Sequence, residues 1–317
     1  MIDNVELMNS VQDEIGKVIS GKRDIVGKIF TAILAGGHIL LEDVPGVGKT
    51  TLALAFSKVL NLSYRRMQFT PDVLPSDVTG FSMYNKKIND FEFKPGAAMC
   101  NLLLADEINR TSPKTQAALL EVMEEKKVTV DGVTRSLPVP FIVIATQNPT
   151  GYVGTQKLPE SQLDRFMIKL SMGYPDYEDE KSIYMGKSYD ALGDVKCLFS
   201  DGDIIRLRKE AAKVYVEDSV YGYLTELIQV TRKNEYISLG VSPRGGLALL
   251  SMAKATALFD NRDYVVPEDI VNNFDAVCSH RIVLSSKAKA SGYAGEKVME
   301  DIKGMVTMPA GRNLKKG

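Results

Sequence analysis

The chain of 317 residues contains no tryptophan, three cysteines and two histidines. Cys100, Cys197 and Cys278 lie far apart and form no CxxC pair. That spacing argues against a disulfide framework and a zinc site, and it fits a reducing cytoplasm. His38 precedes an apolar run and His280 lies in a helical pattern, so both read as packing or surface residues. Net charge is nearly absent as well, with 39 Lys and Arg against 40 Asp and Glu. No bulk field draws such a chain to nucleic acid or anionic lipid, so neither is expected as a partner. No apolar run approaches the roughly 18 residues of a membrane span, so the protein is not expected to be membrane-embedded. The N-terminus carries Asp3 and Glu6 and lacks the basic and apolar regions of a signal peptide. The short basic stretch from Arg312 to Lys316 reads as a solvated end rather than a binding arm.

What remains is ordinary for a soluble globular protein, at 44% hydrophobic and 25% charged residues. The length is too great for one small core and suggests two domains, with a division near residue 175. Residues 1–175 alternate short β-rich apolar runs with helical patterns, the signature of a parallel sheet with helices on both faces. An opening helix carries Met8, Val11, Ile15, Val18 and Ile19 on one face. Strands are predicted at 38–42, 64–69, 101–105, 141–146 and 166–171. Residues 176–317 read as helical, with long patterns at 204–216, 220–231, 243–258 and 267–282. Pro243 and Pro267 fall in first turns, where proline is tolerated, and Ser242 can cap the third of these helices. The fold class is therefore α/β, a parallel-sheet domain flanked by helices and followed by a small all-α lid domain.

Asp43-Val44-Pro45-Gly46-Val47-Gly48-Lys49-Thr50 sits between an apolar strand and a helical pattern. Strand, Gly-rich turn and helix is the context of a phosphate-binding loop. Glycines let backbone N–H groups converge on an anion, and the helix offers its positive end to it. Lys49 is placed for the β- and γ-phosphates and the Thr50 hydroxyl for Mg²⁺. Asp43 replaces the usual first glycine, and Asp favours turns and tolerates left-handed geometry.

Two further strands end in polar side chains. Leu102-Leu103-Leu104-Ala105 leads into Asp106 and Glu107, and ligands of open parallel sheets bind beyond such strand ends. Asp106 is placed for the metal and Glu107 for the attacking water. Phe141 to Ala145 leads into Thr146-Gln147-Asn148-Pro149, where a polar side chain could position that water. Taken alone, the first pair also fits the start of a solvated loop and the second segment a turn. Arg165, in Asp164-Arg165-Phe166, and Arg244, in Ser242-Pro243-Arg244, stand at element edges. An Arg there can reach a γ-phosphate, including that of a neighbouring subunit.

The order of these motifs resembles an AAA+ ATPase. The segments Leu40 to Thr50, Gln68-Phe69-Thr70-Pro71-Asp72, Leu74 to Gly80, Asp106-Glu107-Ile108-Asn109-Arg110, Ala145 to Pro149 and Leu158 to Phe166 resemble the MoxR family over nearly the whole chain. The resemblance implies ATP and Mg²⁺ as ligands, hydrolysis of ATP to ADP and phosphate, and a homo-oligomeric, hexameric ring. It implies chaperone-like remodelling of a protein client with a von Willebrand factor A domain. Residue by residue it makes Val18, Ile19 and Gly21 the adenine-side box and Pro45, Gly46, Val47, Gly48, Lys49, Thr50 and Thr51 the phosphate binder. Thr50 and Asp106 become the metal side, Glu107 the catalytic base and Asn148 the first sensor. Arg165 becomes the arginine finger in the next subunit's site and Arg244 the lid's second sensor, acting in cis or across the interface. Gln68 is placed to restrain Glu107 until a partner binds. Alternating pieces at 79–97 and 128–137 read as hairpins, the second turning at Asp131-Gly132; in the ring proteins they resemble, such hairpins meet the client.

Three rival readings fit less well. A magnesium-chelatase-type ATPase subunit is disfavoured by the Pro71–Gly80 segment and the short chain. A nucleotide-gated binding module with little turnover is disfavoured by Glu107, Asn148 and Arg165. A nucleic-acid motor is disfavoured by the charge balance.

Overall fold

The computed structural model describes residues 3–148, 157–185 and 192–309. Pro149 and the Arg312–Lys316 stretch lie outside the described residues. Helix α1 (Asn4–Gly16) begins where the Asp3 carboxylate accepts from the Val5 and Glu6 N–H groups at 2.9 and 3.3 Å, pairing donors that a helix start leaves free. The apolar pattern predicts a helix through Ile19, but α1 stops at Gly16. Glycine costs about 1 kcal/mol against alanine inside a helix. Beyond it the Val18 and Ile19 N–H groups both fold back to the Ile15 carbonyl at 3.0 Å. The chain then turns at Gly21, φ +67°. Val18 and Ile19 are thereby freed from the helix to line a cavity. Helix α2 (Arg23–Leu34) follows and buries Val26, Ile29, Phe30 and Ile33.

The central sheet is built from β1 (Ile39–Glu42), β2 (Tyr64–Gln68), β5 (Leu102–Asp106), β8 (Ile142–Gln147) and β9 (Ile168–Leu170). Its order is β2-β5-β8-β1-β9 and every pairing is parallel. Successive side chains on a strand point to opposite faces. One face carries Ile39, Leu41, Leu104, Ile144 and Ile168, buried with α1, α2 and α3 (Lys49–Val59). The other carries Leu40, Leu103, Ala105, Val143 and Ala145, buried with α5 (Pro113–Glu125). Burial on both faces explains why these strands read as unbroken apolar runs rather than alternating ones.

Helix α4 (Pro75–Thr79) leads into the hairpin β3 (Gly80–Asn85) and β4 (Asp90–Pro95), paired from Gly80–Pro95 to Asn85–Asp90. A second hairpin, β6 (Lys127–Val130) and β7 (Val133–Ser136), turns through Asp131 and Gly132 at φ +51° and +75°. Two consecutive positive φ values are what a two-residue turn matching strand twist requires. The Arg135 guanidinium stands 4.0 Å from the centre of the Phe93 ring, so a cation–π contact ties the hairpins together.

Past the short α6 (Glu160–Leu163) and α7 (Tyr177–Tyr184), the chain is largely helical: α8 (Asp203–Lys213), α9 (Asp218–Lys233), α10 (Pro243–Phe259), α11 (Pro267–Cys278), α12 (Ser286–Ala290) and α13 (Gly295–Met305). A small antiparallel pair, β10 (Ile237–Leu239) and β11 (Val283–Leu284), interrupts them. Pro243 and Pro267 open their helices, and the Ser242 hydroxyl accepts from the Gly245 N–H at 3.2 Å. The pattern at 204–216 overruns α8: the chain leaves the helix after Lys213, and Tyr215 bridges to Tyr264. Val214 and Val216 flank that bridge, and β-branched side chains suit extended backbone. The larger core runs from Val11 in α1 to Ile302 in α13 without a break.

Both histidines are buried. His38 Nδ1 accepts from the Val143 N–H at 3.0 Å, which leaves Nε2–H to donate to the Met123 carbonyl at 3.1 Å. Burial depresses its pKa to about 4, from 6.5. A depressed folded-state pKa means that protonation favours the unfolded chain. The stability contributed by neutral His38 is complete above pH 6.5 and is lost as pH falls towards 4, a difference of about 3 kcal/mol. His38→Gln can keep both hydrogen bonds but cannot titrate. Urea unfolding between pH 7 and 4.5 is expected to show a shallower acid loss for the variant; parallel profiles would remove His38 from this role.

Candidate active site

The phosphate-loop residues gather at the end of β1. Gly46 and Gly48 adopt φ +88° and +93°, values that side chains with a Cβ rarely tolerate. Gly48 precedes α3 with no side chain capping that helix, so its first N–H groups remain available to an anion. Lys49 is buried, and its ammonium donates to the Asp43 carbonyl at 2.8 Å. Burial lowers its pKa, opposed by Asp43, Asp106 and Glu107. Asp43 does not use a left-handed backbone, contrary to the reading from turn propensity. Its carboxylate instead accepts from the Ser171 hydroxyl at 2.7 Å and the Met172 and Gly173 N–H groups at 2.6 and 3.0 Å. The start of the loop is thereby anchored to the chain leaving β9.

A cavity of about 250 Å³ is lined by Pro45, Gly46, Gly48, Lys49 and Thr50 on one side. Asp106, Glu107 and Asn148, with Arg66 and Gln68, complete it. A larger cavity of about 510 Å³ shares Gly46 and Gly48 and is lined by Val18, Ile19, Val47 and Thr51 among others. Gly21 stands beside it, where a Cβ would overlap the Asp179 carboxylate. A largely apolar cavity joined through a glycine loop to one lined by Lys49, Arg66 and two carboxylates suits a base on one side and phosphates with a metal on the other. One carboxylate, Asp106, and one hydroxyl, Thr50, suit Mg²⁺, which takes few protein ligands and completes its shell with phosphates and water.

The two acids are held differently. Asp106 Oδ1 accepts from the Thr146 hydroxyl at 2.6 Å, and Oδ2 from Arg66 Nη2 at 2.7 Å. Glu107 sits at φ +57°, a left-handed geometry uncommon outside glycine, and its N–H donates to Thr146 Oγ1 at 2.9 Å. One buried hydroxyl thus orients both acids. Glu107 Oε2 accepts from Gln68 at 2.9 Å and Arg110 at 2.7 Å, and Oε1 from Asn148 at 3.1 Å. Burial alone would raise the Glu107 pKa, but the bonds from Arg110, Asn148 and Gln68 together outweigh it and hold it below the ordinary carboxylate value. Asn148 is itself buried, and its carbonyl accepts from Asn109 Nδ2 at 3.1 Å.

Arg165 and Arg244 line neither cavity. Both meet Glu124 in the last turn of α5: Arg165 pairs with Oε2, and Arg244 Nη2 with Oε1 at 2.6 Å. The segment bearing Arg165 is fixed by its neighbour Asp164, which accepts from Arg281 Nε at 2.8 Å and the Ser242 hydroxyl at 2.9 Å. The Arg281 side chain is 2% exposed and also donates to the Asp164, Phe166 and Met167 carbonyls. The two arginines therefore share one carboxylate, and neither is among the residues that line the phosphate-loop cavity.

Motif reading assigns no role to Arg66, Arg110, Thr146 or Glu124. Faint signals exist for three. Arg66 and Gln68 are two apart on a strand and share a face. Arg110 follows Glu107 by three, the spacing of neighbours on a helical turn. Thr146 follows Ala145, the register partner of Ala105, and so lies beside Asp106. Nothing local marks Glu124, whose partners are 41 and 120 residues away.

Residues 38–168 match the family model described as the ATPase family associated with various cellular activities (AAA), and residues 229–302 match the AAA lid domain. An uncharacterised Bacillus subtilis protein, YeaC, is 47% identical over 97% of this chain and 96% of its own length. Chaperone MoxR1 of Mycobacterium tuberculosis is 38% identical, covering 93% of this chain and 81% of its own. A solved structure from Cytophaga hutchinsonii, of a protein assigned as an ATPase, is 39% identical and superposes with a TM-score of 0.88 over 97% of both chains. The motif order, the parallel sheet with its helical lid and these likenesses agree: the chain belongs to the MoxR family of AAA+ ATPases.

Proposed function

We propose that this protein binds ATP with Mg²⁺ and hydrolyses it to ADP and phosphate in a homo-oligomeric ring, using the cycle to remodel a protein client. The observation that carries the reading is the shared cavity of Lys49, Thr50, Asp106, Glu107 and Asn148. Phosphoryl transfer needs chiefly positioning and charge neutralisation. Lys49 and the uncapped start of α3 supply positive charge to the phosphates. Thr50 and Asp106 would hold Mg²⁺, which supplies further neutralisation when bound. Glu107, kept below the usual carboxylate range, is unprotonated at neutral pH and can accept a proton from water. Gln68 and Arg110 occupy one of its oxygens and restrain it, and Asn148 orients the other. Val18, Ile19, Gly21, Val47 and Thr51 form the base side.

Arg165 and Arg244 act in trans on a neighbour's site; their shared placement on Glu124, outside their own cavity, supports this for both. A hexamer suits the family, and the cytoplasm suits the three free cysteines. The client is a protein with a von Willebrand factor A domain, met by the two hairpins. The division into residues 1–175 and 176–317 is the corresponding proposal for the two domains. Nucleotide titration and phosphate release test the reading. Lys49→Ala is expected to weaken ATP binding about 10–100-fold, the contribution of a hydrogen-bonded charge. Equal affinity in wild type and variant would sink the site assignment.

A further inference from the structure

Arg66 is the second cation of the phosphate cavity, and the reaction as derived above gives it no task. It lies on β2, the edge strand of the sheet, and lines the cavity with Lys49. Nη2 and Nε reach Asp106 Oδ2 at 2.7 and 3.3 Å. Since Thr146 holds Oδ1, both oxygens of Asp106 are taken by the protein's own donors. The two donors differ in freedom. Thr146 is 0% exposed, whereas the Arg66 side chain is 48% exposed. The oxygen that can be released is therefore Oδ2, and its release requires Arg66 to move. Arg66 Nη2 also donates to Gln68 Oε1 at 3.1 Å, while Gln68 Nε2 donates to Glu107 Oε2 at 2.9 Å. One chain of contacts thus runs from Asp106 through Arg66 and Gln68 to Glu107.

Resting on the reading of this cavity as an ATP site, we propose that Arg66 is a further substrate-binding residue, which exchanges the Asp106 carboxylate for the terminal phosphates of ATP. The exchange has a chemical basis. A guanidinium binds carboxylate and phosphate through the same planar donors, and phosphate carries the larger charge. The pair is open to water on its Arg66 side, though Asp106 is buried, so solvent can take up the guanidinium as it leaves. In the exchange Arg66 frees Asp106 for a divalent cation and withdraws from Gln68, so the contact restraining Glu107 loosens in the same movement. Without metal, Arg66 is the principal cation on the terminal phosphates; with metal, Mg²⁺ covers the same charge and the Arg66 contact contributes less. This difference reduces how much Mg²⁺ improves nucleotide binding in the wild type.

The test is calorimetric titration of the full chain with the non-hydrolysable analogue adenylyl imidodiphosphate, in EDTA and in excess MgCl₂. The quantity read is the ratio of the two Kd values, EDTA over Mg²⁺. Arg66→Met is expected to raise that ratio about 10-fold or more, since in EDTA a hydrogen bond between charged groups is lost in full, whereas in Mg²⁺ the metal covers the same phosphates. Arg66→Gln, measured in parallel with a melting check on both, is expected to match it, and Arg66→Lys to fall nearer the wild type. A ratio that stays put or falls in the neutral variants overturns the exchange. A wild type that binds the analogue in neither buffer overturns the ATP-site reading instead, so the two failures are distinct.

Discussion

Arg165→Ala is expected to bind ATP almost as wild type does and to hydrolyse it about 10³–10⁵ times more slowly, the effect of removing an arginine finger in well-studied phosphoryl-transfer sites. The alternative is that Arg165 only pairs with Glu124. A pair of this kind, with side chains 32% and 41% exposed, contributes about 0–1 kcal/mol, and its loss would change turnover a few-fold at most. The two accounts thus differ by orders of magnitude. If Arg165, which pairs with Glu124 outside its own phosphate cavity, acts as proposed on a neighbour's site, each site is complete only when a second subunit is docked. Specific activity of the wild type should therefore rise with protein concentration. An equimolar mixture of Arg165→Ala and Glu107→Gln should regain turnover, because about a quarter of the head-to-tail interfaces in a randomly mixed ring carry both intact groups. No rescue, together with concentration-independent activity, would place the arginine in cis or outside the reaction.

Glu107→Gln should retain ATP affinity and lose about 10²–10⁴ in turnover, the usual contribution of a positioned general base. Glutamine keeps the shape and can still meet Asn148 and Arg110, but it cannot accept a proton from water. Single-turnover phosphate release separates this from a binding defect. Turnover within a few-fold of wild type would remove Glu107 from its role and shift attention to Thr146 and Asn148, which orient it. Arg110 supplies a useful contrast. It donates to Glu107 Oε2 at 2.7 Å from an exposed position, so its loss should alter restraint of the base rather than abolish chemistry.

Much of this was legible in the linear sequence because the determining physics is local. Ile39–Leu41, Leu102–Ala105 and Ile142–Ala145 are buried on both faces, so each strand announces itself as a continuous apolar run. The glycines of the phosphate loop are required by backbone geometry within a few residues, at Gly46 and Gly48. Asp106, Glu107 and Asn148 sit at the C-terminal ends of parallel strands or directly beyond them, Lys49 and Thr50 open the helix after the loop that leaves β1, and parallel topology brings these points together. Proline marks the starts of α10 and α11, and Ser242 caps the first of them, for equally local reasons.

Tertiary structure alone decided the rest, because the relevant partners are remote in sequence or replace a local preference. Asp43 reads as a turn former, yet its carboxylate is consumed by donors at 171–173. Val18 and Ile19 continue the periodicity of α1, yet the backbone leaves the helix after Gly16 and turns them to the base-side cavity. Arg66 is an unremarked basic residue on a strand until β2 pairs with β5 and Asp106 arrives beside it. Glu124 looks like one more helix-end charge until the segment after α6 and the first turn of α10 deliver two arginines to its two oxygens. In the last two cases a charged side chain found its counter-charge only after the backbone had closed. Charge pairing acts through space at a few ångströms and leaves no periodicity in the sequence to read.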